Sequence, residues 1–109
     1  MDSCLFCRMG RGEIPVDLVY EDEHVLAFRD IHPQAPVHVL VIPRVHREKV
    51  LDVEPVLWGQ MQEGVRHVCQ RLGLSEFRLV VNTGSAAGQT VFHCHIHLLA
   101  GRTFGWPPG

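Results

Sequence analysis

Several features of common protein classes are missing from this sequence of 109 residues. Its formal net charge is −2, so it lacks the basic surface that binding to a nucleic-acid polymer requires. It has no window of the roughly 20 apolar residues that span a bilayer, so we expect no membrane helix. No basic region followed by an apolar stretch opens the chain, so we expect no secretion signal and a cytoplasmic protein. The length indicates one domain, residues 1–109.

Histidine and cysteine, by contrast, are abundant, with eight and four residues respectively. In a reducing cytoplasm, four cysteines are expected to be free thiols or metal ligands rather than disulfides. These two residue types therefore indicate where the chemistry of the chain lies.

The hydrophobic pattern predicts an α+β fold with a five-stranded, mostly antiparallel sheet and one long helix. Two apolar runs that flank the polar residues 21–24 predict a hairpin, and a third apolar run stops at Pro43. Apolar residues spaced by three and four predict a helix that starts at the N-cap Asp52 and ends before Gly73. After an irregular first dozen residues, the predicted elements are strands 18–20, 25–28, 37–42, 77–81 and 91–100 and helix 52–72.

The predicted last strand carries three histidines at alternate positions, His93, His95 and His97. Alternate side chains of a strand share a face, so the three imidazoles lie together. The opposite face receives Phe92, Cys94, Ile96 and Leu98. At a rise of about 3.3 Å per residue the outer histidines are roughly 13 Å apart, so one metal ion cannot bind all three. At least one therefore has another role, and His95, in the middle, suits a nucleophile or general base.

The segment 84–90 before this strand is a turn of small residues. Its unobstructed backbone N–H groups can surround a phosphate, although it lacks the lysine and the helix of a P-loop. Side chains of Asn82, Gln89 and Thr90 can add hydrogen bonds to phosphate oxygens. Because three histidines follow directly, we predict that this turn binds an anion.

His38 alternates with Leu40 on the apolar strand 37–42. Its ring can support the histidines of the last strand from behind, or it can be a core histidine whose hydrogen bonds are satisfied locally. The sequence leaves both interpretations open.

The run from His93 to Leu99 resembles the His-φ-His-φ-His-φ-φ motif of the histidine triad (HIT) superfamily, in which φ is an apolar residue. Further segments, in the same order, resemble its Hint branch, the histidine triad nucleotide-binding proteins. They are Gly12-Glu13-Ile14-Pro15, Ala27-Phe28-Arg29-Asp30-Ile31, Gln34-Ala35-Pro36, Leu40-Val41-Ile42-Pro43, Val80-Val81-Asn82, Gly88-Gln89 and Trp106-Pro107-Pro108-Gly109. The resemblance implies a single HIT-like domain with a short helix beside the long one. It also implies a homodimer whose two sheets join into one, with the central helices and C-terminal tails at the interface.

Through this resemblance the chain is expected to bind a purine mononucleotide and to hydrolyse nucleoside phosphoramidates. His95 would attack the α-phosphorus to form a nucleotidyl-histidine intermediate, from which water would release the nucleoside monophosphate. His97 would contact the phosphate or the leaving group, and His93 completes the catalytic triad. The implied phosphate ligands are Asn82, Gly88, Gln89 and Thr90, and the implied nucleoside contacts are Ile14, Phe28, Asp30, Ile31 and Leu40, with Asp30 on the ribose hydroxyls.

The segment Cys4-Leu5-Phe6-Cys7 is a CxxC motif with three interpretations. A redox role needs a βαβ context that this position lacks, and two thiols without special function are the simplest alternative. A zinc site needs two more ligands, for which His46 and His93 are candidates. In many bacterial proteins of the family this set binds one Zn²⁺, so the resemblance implies a structural zinc that the chemistry itself does not require.

Two other functions stay open beside the hydrolase. The histidine pair could serve a metal-dependent enzyme, in which case a chelator would abolish activity. The pocket could also bind a nucleotide for sensing or as a scaffold, with little turnover, because the triad can persist for binding alone.

Overall fold

The computed structural model describes residues 3–109, which form two helices and five strands. The helices are α1 (Leu5–Gly10) and α2 (Pro55–Leu72). The strands are β1 (Leu18–Glu21), β2 (Val25–Arg29), β3 (Val37–Pro43), β4 (Arg78–Val80) and β5 (Ile96–Ala100). Short 3₁₀ turns cover Val50–Asp52 and Ser85–Ala87. Within residues 3–109, neither helix has the length and apolar character needed to cross a membrane.

The five strands form one antiparallel sheet in the spatial order β1-β2-β3-β5-β4. β5 therefore lies in the interior, while β1 and β4 are the edges. The register places His97 of β5 opposite Leu40 of β3, and Leu40 opposite Phe28 of β2. Directly paired residues lie on the same face of a sheet, so these three side chains form a row across it. The predicted α+β class with a five-stranded antiparallel sheet is confirmed.

Different helices cover the two faces of the sheet. One face packs against Met61, Val65 and Val68 of α2 and forms the larger core with the valines of β2 and β3. The smaller cluster on the other face consists of Phe6, Leu26, Phe28, Leu40 and Ile42. Since Phe6 belongs to α1, and Phe28 and Leu40 share a row with His97, the histidines lie on the face that α1 covers.

Helix α2 begins later than its pattern predicts. The predicted N-cap Asp52 ends a 3₁₀ turn instead, and Glu54 caps the helix with Pro55 at its first position. Proline suits that position because it lacks the N–H that would be unsatisfied there. At the other end Gly73 has a φ of 66°, in the left-handed region, and ends the helix as predicted.

The sequence predicted an irregular N-terminal segment. This prediction is wrong, because the segment contains α1. The sulfur of the N-cap Cys4 accepts a hydrogen bond from the Cys7 N–H at 3.4 Å, which starts the helix. A helix of six residues is unstable by itself, so burial of Phe6 and Cys7 against the sheet must stabilise it.

The last strand begins at Ile96, five residues later than predicted. Before it, the backbone N–H of Cys94 donates to the carbonyl of Arg47 at 2.6 Å, which is in a loop and not in a neighbouring strand. The chain still alternates here, with Cys94, Ile96 and Leu98 in the core against α2. Phe92, predicted for the same apolar face, is exposed instead.

Gly64 allows α2 to approach the sheet closely. A Cβ atom at this position would lie 3.1 Å from Val25 Cγ2 and 3.2 Å from Val41 Cγ1. Both valines are fully buried and β-branched, so neither side chain can move away without strain. We expect Gly64→Ala to destabilise the fold by about 1 kcal/mol in urea unfolding, despite the better helix propensity of alanine.

The matched control is Gly59→Ala on the same helix, where a Cβ atom would meet nothing within 4 Å. This substitution should stabilise the protein by up to about 1 kcal/mol, because only helix propensity changes. If both variants shifted the urea midpoint in the same direction by the same amount, the close packing at Gly64 would be of no energetic importance.

Candidate functional site

A cleft of about 500 Å³ opens on the face of the sheet that α1 covers. The row of His97, Leu40 and Phe28 contributes to its lining, and α1 contributes Leu5, Phe6 and Met9. A mostly apolar cleft with a few converging polar groups is the usual form of a small-molecule binding site.

The cleft brings together most of the residues predicted for catalysis and nucleoside binding. Those that line it are Phe28, Asp30, Ile31, Leu40, Thr90, His95 and His97. Ile14 does not line it, although its neighbours Pro15 and Val16 do. His93 is fully buried behind the surface. Of the four residues predicted to bind phosphate, only Thr90 lines the cleft, whereas Asn82, Gly88 and Gln89 lie in or beside the preceding turn.

Hydrogen bonds determine which ring nitrogen of His95 carries a proton. Its Nδ1 lies 2.7 Å from the backbone carbonyl oxygen of His93, which can only accept, so Nδ1 carries the hydrogen and Nε2 keeps a free lone pair. The ring is buried beside the edge-on ring of Phe6, with 5.1 Å between the centroids, and burial lowers the pKa of His95. A neutral imidazole with a free Nε2 is the form that attacks an electrophile.

His97 is supported by a chain of hydrogen bonds through His38. The Gln34 N–H donates to His38 Nδ1 at 3.0 Å, so His38 carries its hydrogen on Nε2. His38 Nε2 donates to His97 Nδ1 at 2.9 Å, which places the hydrogen of His97 on its own Nε2. The Asp30 carboxylate lies 3.5 Å from His38 Nε2. His38 is therefore a buried histidine with a local hydrogen bond and at the same time a support for His97, so both interpretations hold. His97 has an N–H donor for the cleft that it lines.

Burial and the neighbouring His95 and His38 lower the pKa of His97 to about 4. Since this is below the ordinary value near 6.5, the unfolded chain binds the proton more readily than the folded chain. The titration of His97 should therefore leave the free energy of unfolding unchanged above about pH 6.5. It should lower the free energy of unfolding as the pH falls from about 6.5 to 4. An NMR titration should find the His97 ring neutral at about pH 5.5. A midpoint near the ordinary value would contradict its buried, hydrogen-bonded state.

The turn before β5 is closed by its own hydrogen bonds. Gly84 and Gly88 have φ angles of 87° and 100°, in the left-handed region that glycine adopts without strain. The Gly84 carbonyl accepts from the N–H groups of Ala87 and Gln89 at 3.2 and 3.0 Å. The carboxamide of Gln89 is buried and bonds to backbone groups only. Most N–H groups of this turn, and the Gln89 side chain, are therefore used within the protein.

Two residues have hydrogen-bond donors that no group described by the structure uses. They are Thr90, which lines the cleft, and Asn82, which lies beside the turn 84–90. Within residues 3–109, neither the backbone N–H nor the hydroxyl of Thr90 has a hydrogen-bond partner. The Asn82 side chain likewise has no hydrogen-bond partner in the described part of the chain. It lies against Gly88, because a Cβ atom added at that glycine would be 3.5 Å from Asn82 Nδ2. Since His95 and His97 line the same cleft as Thr90, an anion bound there can meet the Thr90 donors and the histidines.

A second cluster of chemically active side chains lies behind the cleft. The structure brings together Cys4, Cys7, His46 and His93, whose ligand atoms all lie within 4.8 Å of one another. Cys4 Sγ is 3.3 Å from His93 Nδ1, and Cys7 Sγ is 3.3 Å from His46 Nδ1. Sulfur and nitrogen ligands of tetrahedral zinc are about 3.6 Å apart, given bonds of about 2.3 and 2.0–2.1 Å. The four residues therefore have nearly the spacing of a zinc site.

The protonation of His93 also suits a metal ligand. Its Nε2 lies 2.7 Å from the carbonyl oxygen of Pro43 and must donate, so Nδ1 directs a lone pair toward the two sulfurs. Burial lowers the pKa of His93 to about 4, which keeps the ring neutral. Burial, together with the adjacent Cys4, raises the pKa of the Cys7 thiol. A divalent cation would reverse that effect, so two thiolates and two neutral imidazoles fit Zn²⁺.

Helix α1 supplies a wall of the cleft that the sequence did not predict. The ring of Phe6 lies edge-on to both His93 and His95, with centroid distances of 5.8 and 5.1 Å, so it separates the metal-ligand cluster from the cleft. The sequence did contain a hint of this role. Phe6 lies inside the CxxC motif, and a residue between two ligands of one metal site must lie near that site.

Comparison with known proteins identifies the family. Residues 11–104 match the family model of the HIT domain. The chain is 48% identical over 112 aligned positions to an uncharacterized HIT-like protein of Synechococcus elongatus, covering 99% of this chain and 98% of that protein. It is 42% identical to a 14 kDa zinc-binding protein of Zea mays, covering 96% and 87%. The crystal structure of a HIT family hydrolase from Legionella pneumophila matches with a TM-score of 0.93 at 47% identity, covering 98% of this chain and 100% of that one. The chain therefore belongs to the HIT family.

Proposed function

We propose that this protein is a nucleotide-binding hydrolase that cleaves nucleoside phosphoramidates to nucleoside monophosphates. One observation carries the proposal: an unprotonated Nε2 of His95 and a protonated Nε2 of His97 belong to rings that line the same cleft. The ring centroids are 4.9 Å apart, so one phosphoryl group can contact both. A nucleophile beside a proton donor suits displacement at phosphorus. The name of the Legionella relative, a HIT family hydrolase, supports hydrolysis in general.

The two histidines divide the reaction into two displacements. In the first, His95 Nε2 bonds to the α-phosphorus and the phosphorus–nitrogen bond breaks, while the Nε2–H of His97 donates a hydrogen bond to the leaving nitrogen, which takes a proton from a water molecule and departs as an amine. In the second, the hydroxide left by that water attacks the same phosphorus and breaks the bond to His95. The products are a nucleoside monophosphate and the original enzyme. Between the steps, the nucleotidyl-His95 ring carries a positive charge, and His97 stays neutral.

The row of His97, Leu40 and Phe28 has about the length of a nucleoside. Phe28 lies two strands from His97, which is about 10 Å at the usual spacing between strands. An apolar base over Leu40 and Phe28 would thus place the α-phosphate at the histidines, and the Asp30 carboxylate, which also lines the cleft, would accept from the ribose hydroxyls. The N–H and hydroxyl of Thr90 would stabilise charge on the phosphate oxygens as the phosphorus is attacked.

Incubation with adenosine 5′-phosphoramidate tests this function. We expect release of AMP and ammonia, and a sample quenched in alkaline denaturant should contain protein that has gained the mass of one adenylyl group, located on His95 by peptide mapping. Hydrolysis without that adduct under single-turnover conditions would argue against a covalent path. Tight AMP binding without any turnover would favour the nucleotide-sensing or scaffold alternative, because the same cleft serves both.

We further propose that Cys4, Cys7, His46 and His93 bind one structural Zn²⁺. The closed set of four protein ligands leaves no position for substrate, and the naming of the Zea mays relative as a zinc-binding protein supports the metal. All four cysteines are unbridged in the structure, so Cys4 and Cys7 are available as metal ligands. Metal analysis of protein purified without chelator should give about one zinc per chain. A metal content near zero would contradict this site.

A metal-dependent hydrolase is the second candidate, because Asp30, His38 and His97 also lie close enough to share an ion. However, the His38 Nε2–H bond to His97 Nδ1 occupies the space between these rings, and the Gln34 N–H fixes the proton there. The hydrogen-bond chain thus explains the cluster without a metal. Activity that persists in excess chelator, measured while the protein is still folded, would exclude the metal-dependent enzyme.

We also propose a homodimer that joins two sheets through the β4 edge, with α2 and the C-terminal tail at the interface. Leu79 of β4 is exposed, Val56 of α2 is 75% exposed, and Trp106 of the tail is 85% exposed. Large apolar side chains that are exposed on a free edge strand, on a helix and in a terminal tail are typical of surfaces that a partner covers. Sedimentation equilibrium should give twice the chain mass of 12.3 kDa. A monomer at micromolar concentration would contradict the dimer.

A further inference from the structure

Gln89 is among the few buried polar side chains of the protein, with 2% of its surface exposed. Its carboxamide makes three hydrogen bonds, all to backbone. Oε1 accepts from the Gly84 N–H at 2.9 Å, and Nε2 donates to the carbonyls of Glu48 at 2.6 Å and Val91 at 3.2 Å. These bonds use both Nε2 hydrogens and one lone pair of Oε1, so the group is held on both sides.

The partners of Gln89 connect two parts of the site. Gly84 begins the turn that leads to Thr90 in the cleft. Glu48 lies two residues after His46, a member of the metal-ligand cluster. Between them, the carbonyl of Arg47 accepts from the Cys94 N–H at 2.6 Å. The segment 46–48 is therefore bonded to the turn through Gln89 and to the triad segment through Cys94.

We propose that Gln89 is a positioning residue that couples occupancy of the metal site to the order of the turn 84–90. The inference rests on the proposed function, namely on the zinc site at the cysteines and on the anion site at Thr90. A bound metal restrains His46, and with it the carbonyl of Glu48. The planar Gln89 carboxamide passes this restraint to the Gly84 N–H, because rotating it would break all three hydrogen bonds together. The substrate then meets a turn whose Thr90 donors are already in place.

Without the metal, the contacts of His46 to the cluster are weaker. Its Nδ1 faces Cys7 Sγ, and a sulfur–nitrogen hydrogen bond restrains a ring less than a zinc–nitrogen bond does. The segment 46–48 then gains freedom, and the buried carboxamide can follow Glu48 only by giving up Gly84. Loss of zinc should therefore loosen the turn as well as the N-terminal helix.

Hydrogen exchange followed by mass spectrometry tests the coupling directly. The wild type, Gln89→Ala and the matched surface control Gln70→Ala are compared in excess Zn²⁺ and in excess EDTA. In the wild type and the control, removal of zinc should increase exchange in peptides covering 84–90 at least about tenfold. In Gln89→Ala the same peptides should exchange fast in both conditions, while peptides of α1 still respond to zinc.

Gln89→Glu gives a finer test with nearly the same shape. One carboxylate oxygen can still accept from Gly84, but the other would face the carbonyls of Glu48 and Val91, which cannot donate. Exchange of 84–90 should therefore become independent of zinc, as in the alanine variant. AMP affinity should fall in both variants and should no longer depend on zinc.

Two results would overturn the coupling. One is a wild-type turn whose exchange does not change with zinc, and the other is a Gln89→Ala protein that responds to zinc as the wild type does. A wild type that shows the coupling but does not hydrolyse the phosphoramidate would disprove the proposed function and leave the coupling standing, because exchange is measured without substrate.

Discussion

Replacing His95 with alanine is expected to lower kcat/KM for adenosine 5′-phosphoramidate by on the order of 10⁴-fold or more. The loss corresponds to roughly 5 kcal/mol of transition-state stabilisation, since each tenfold change is about 1.4 kcal/mol. The effect is large because no second group can replace the nucleophile. His97 carries a hydrogen on Nε2 and its Nδ1 accepts from His38, so neither nitrogen can attack. Steady-state assays with an AMP-specific readout measure the change.

His24→Ala is the matched control, because His24 lies in the hairpin turn between β1 and β2 and contacts Glu23 instead of the cleft. It should keep wild-type activity. His95→Gly leaves a space of imidazole size, so added imidazole should restore part of the rate and appear as a nucleotidyl-imidazole product. A His95→Ala protein that folds normally and retains more than a tenth of the wild-type rate would disprove covalent catalysis by His95.

Local patterns in the sequence were sufficient for most of the fold. The polar tetrad between two apolar runs predicts the β1–β2 hairpin, because a short polar turn between apolar segments has few other solutions. The helix pattern predicts α2 to its last residue, because Gly73 supplies the left-handed conformation that ends it. These features depend on neighbours in the chain, so a single sequence contains the information.

Features that depend on distant contacts were predicted less well. A six-residue helix has no periodicity of its own, and α1 exists because Phe6 packs on the sheet and Cys4 caps its first turn. The late start of β5 has a similar cause. The Cys94 N–H bonds to Arg47, which is 47 residues away in the sequence, so alternation alone could not distinguish extended loop from strand.

In the candidate site, too, local sequence patterns predict some features, whereas others depend on distant contacts. Spacing alone indicated that the triad histidines cannot all bind one metal, and the structure separates His93 from His95 and His97. The roles of the ring nitrogens could not be predicted, because they depend on the Pro43 and His93 carbonyls and the Gln34 N–H. Gln89 was expected to contact phosphate for its polar side chain, but whether a carboxamide faces a cleft or the backbone depends on tertiary structure.

Loss of one zinc ligand is expected to cause the largest change in stability. Cys7→Ser should abolish zinc binding and lower the free energy of unfolding by about 3–4 kcal/mol, the stabilisation from a ligand present at 100 to 1,000 times its Kd. For a domain of this size the Tm should fall by roughly 10–20 °C. The effect is large because the metal joins α1 to the loop after β3 and to His93, three segments that are far apart in the sequence. Differential scanning calorimetry with parallel metal analysis measures both quantities.

Cys69→Ser makes the same chemical change on α2, away from the metal-ligand cluster, and should retain zinc and shift the Tm by no more than a few degrees. Wild-type protein in excess chelator should melt at the temperature of Cys7→Ser, because both lack the metal. The variant itself should not respond to chelator. If zinc removal left the wild-type Tm unchanged while Cys7→Ser still melted early, the loss would come from packing of the buried Cys7 side chain, and the structural role of the metal would be disproved.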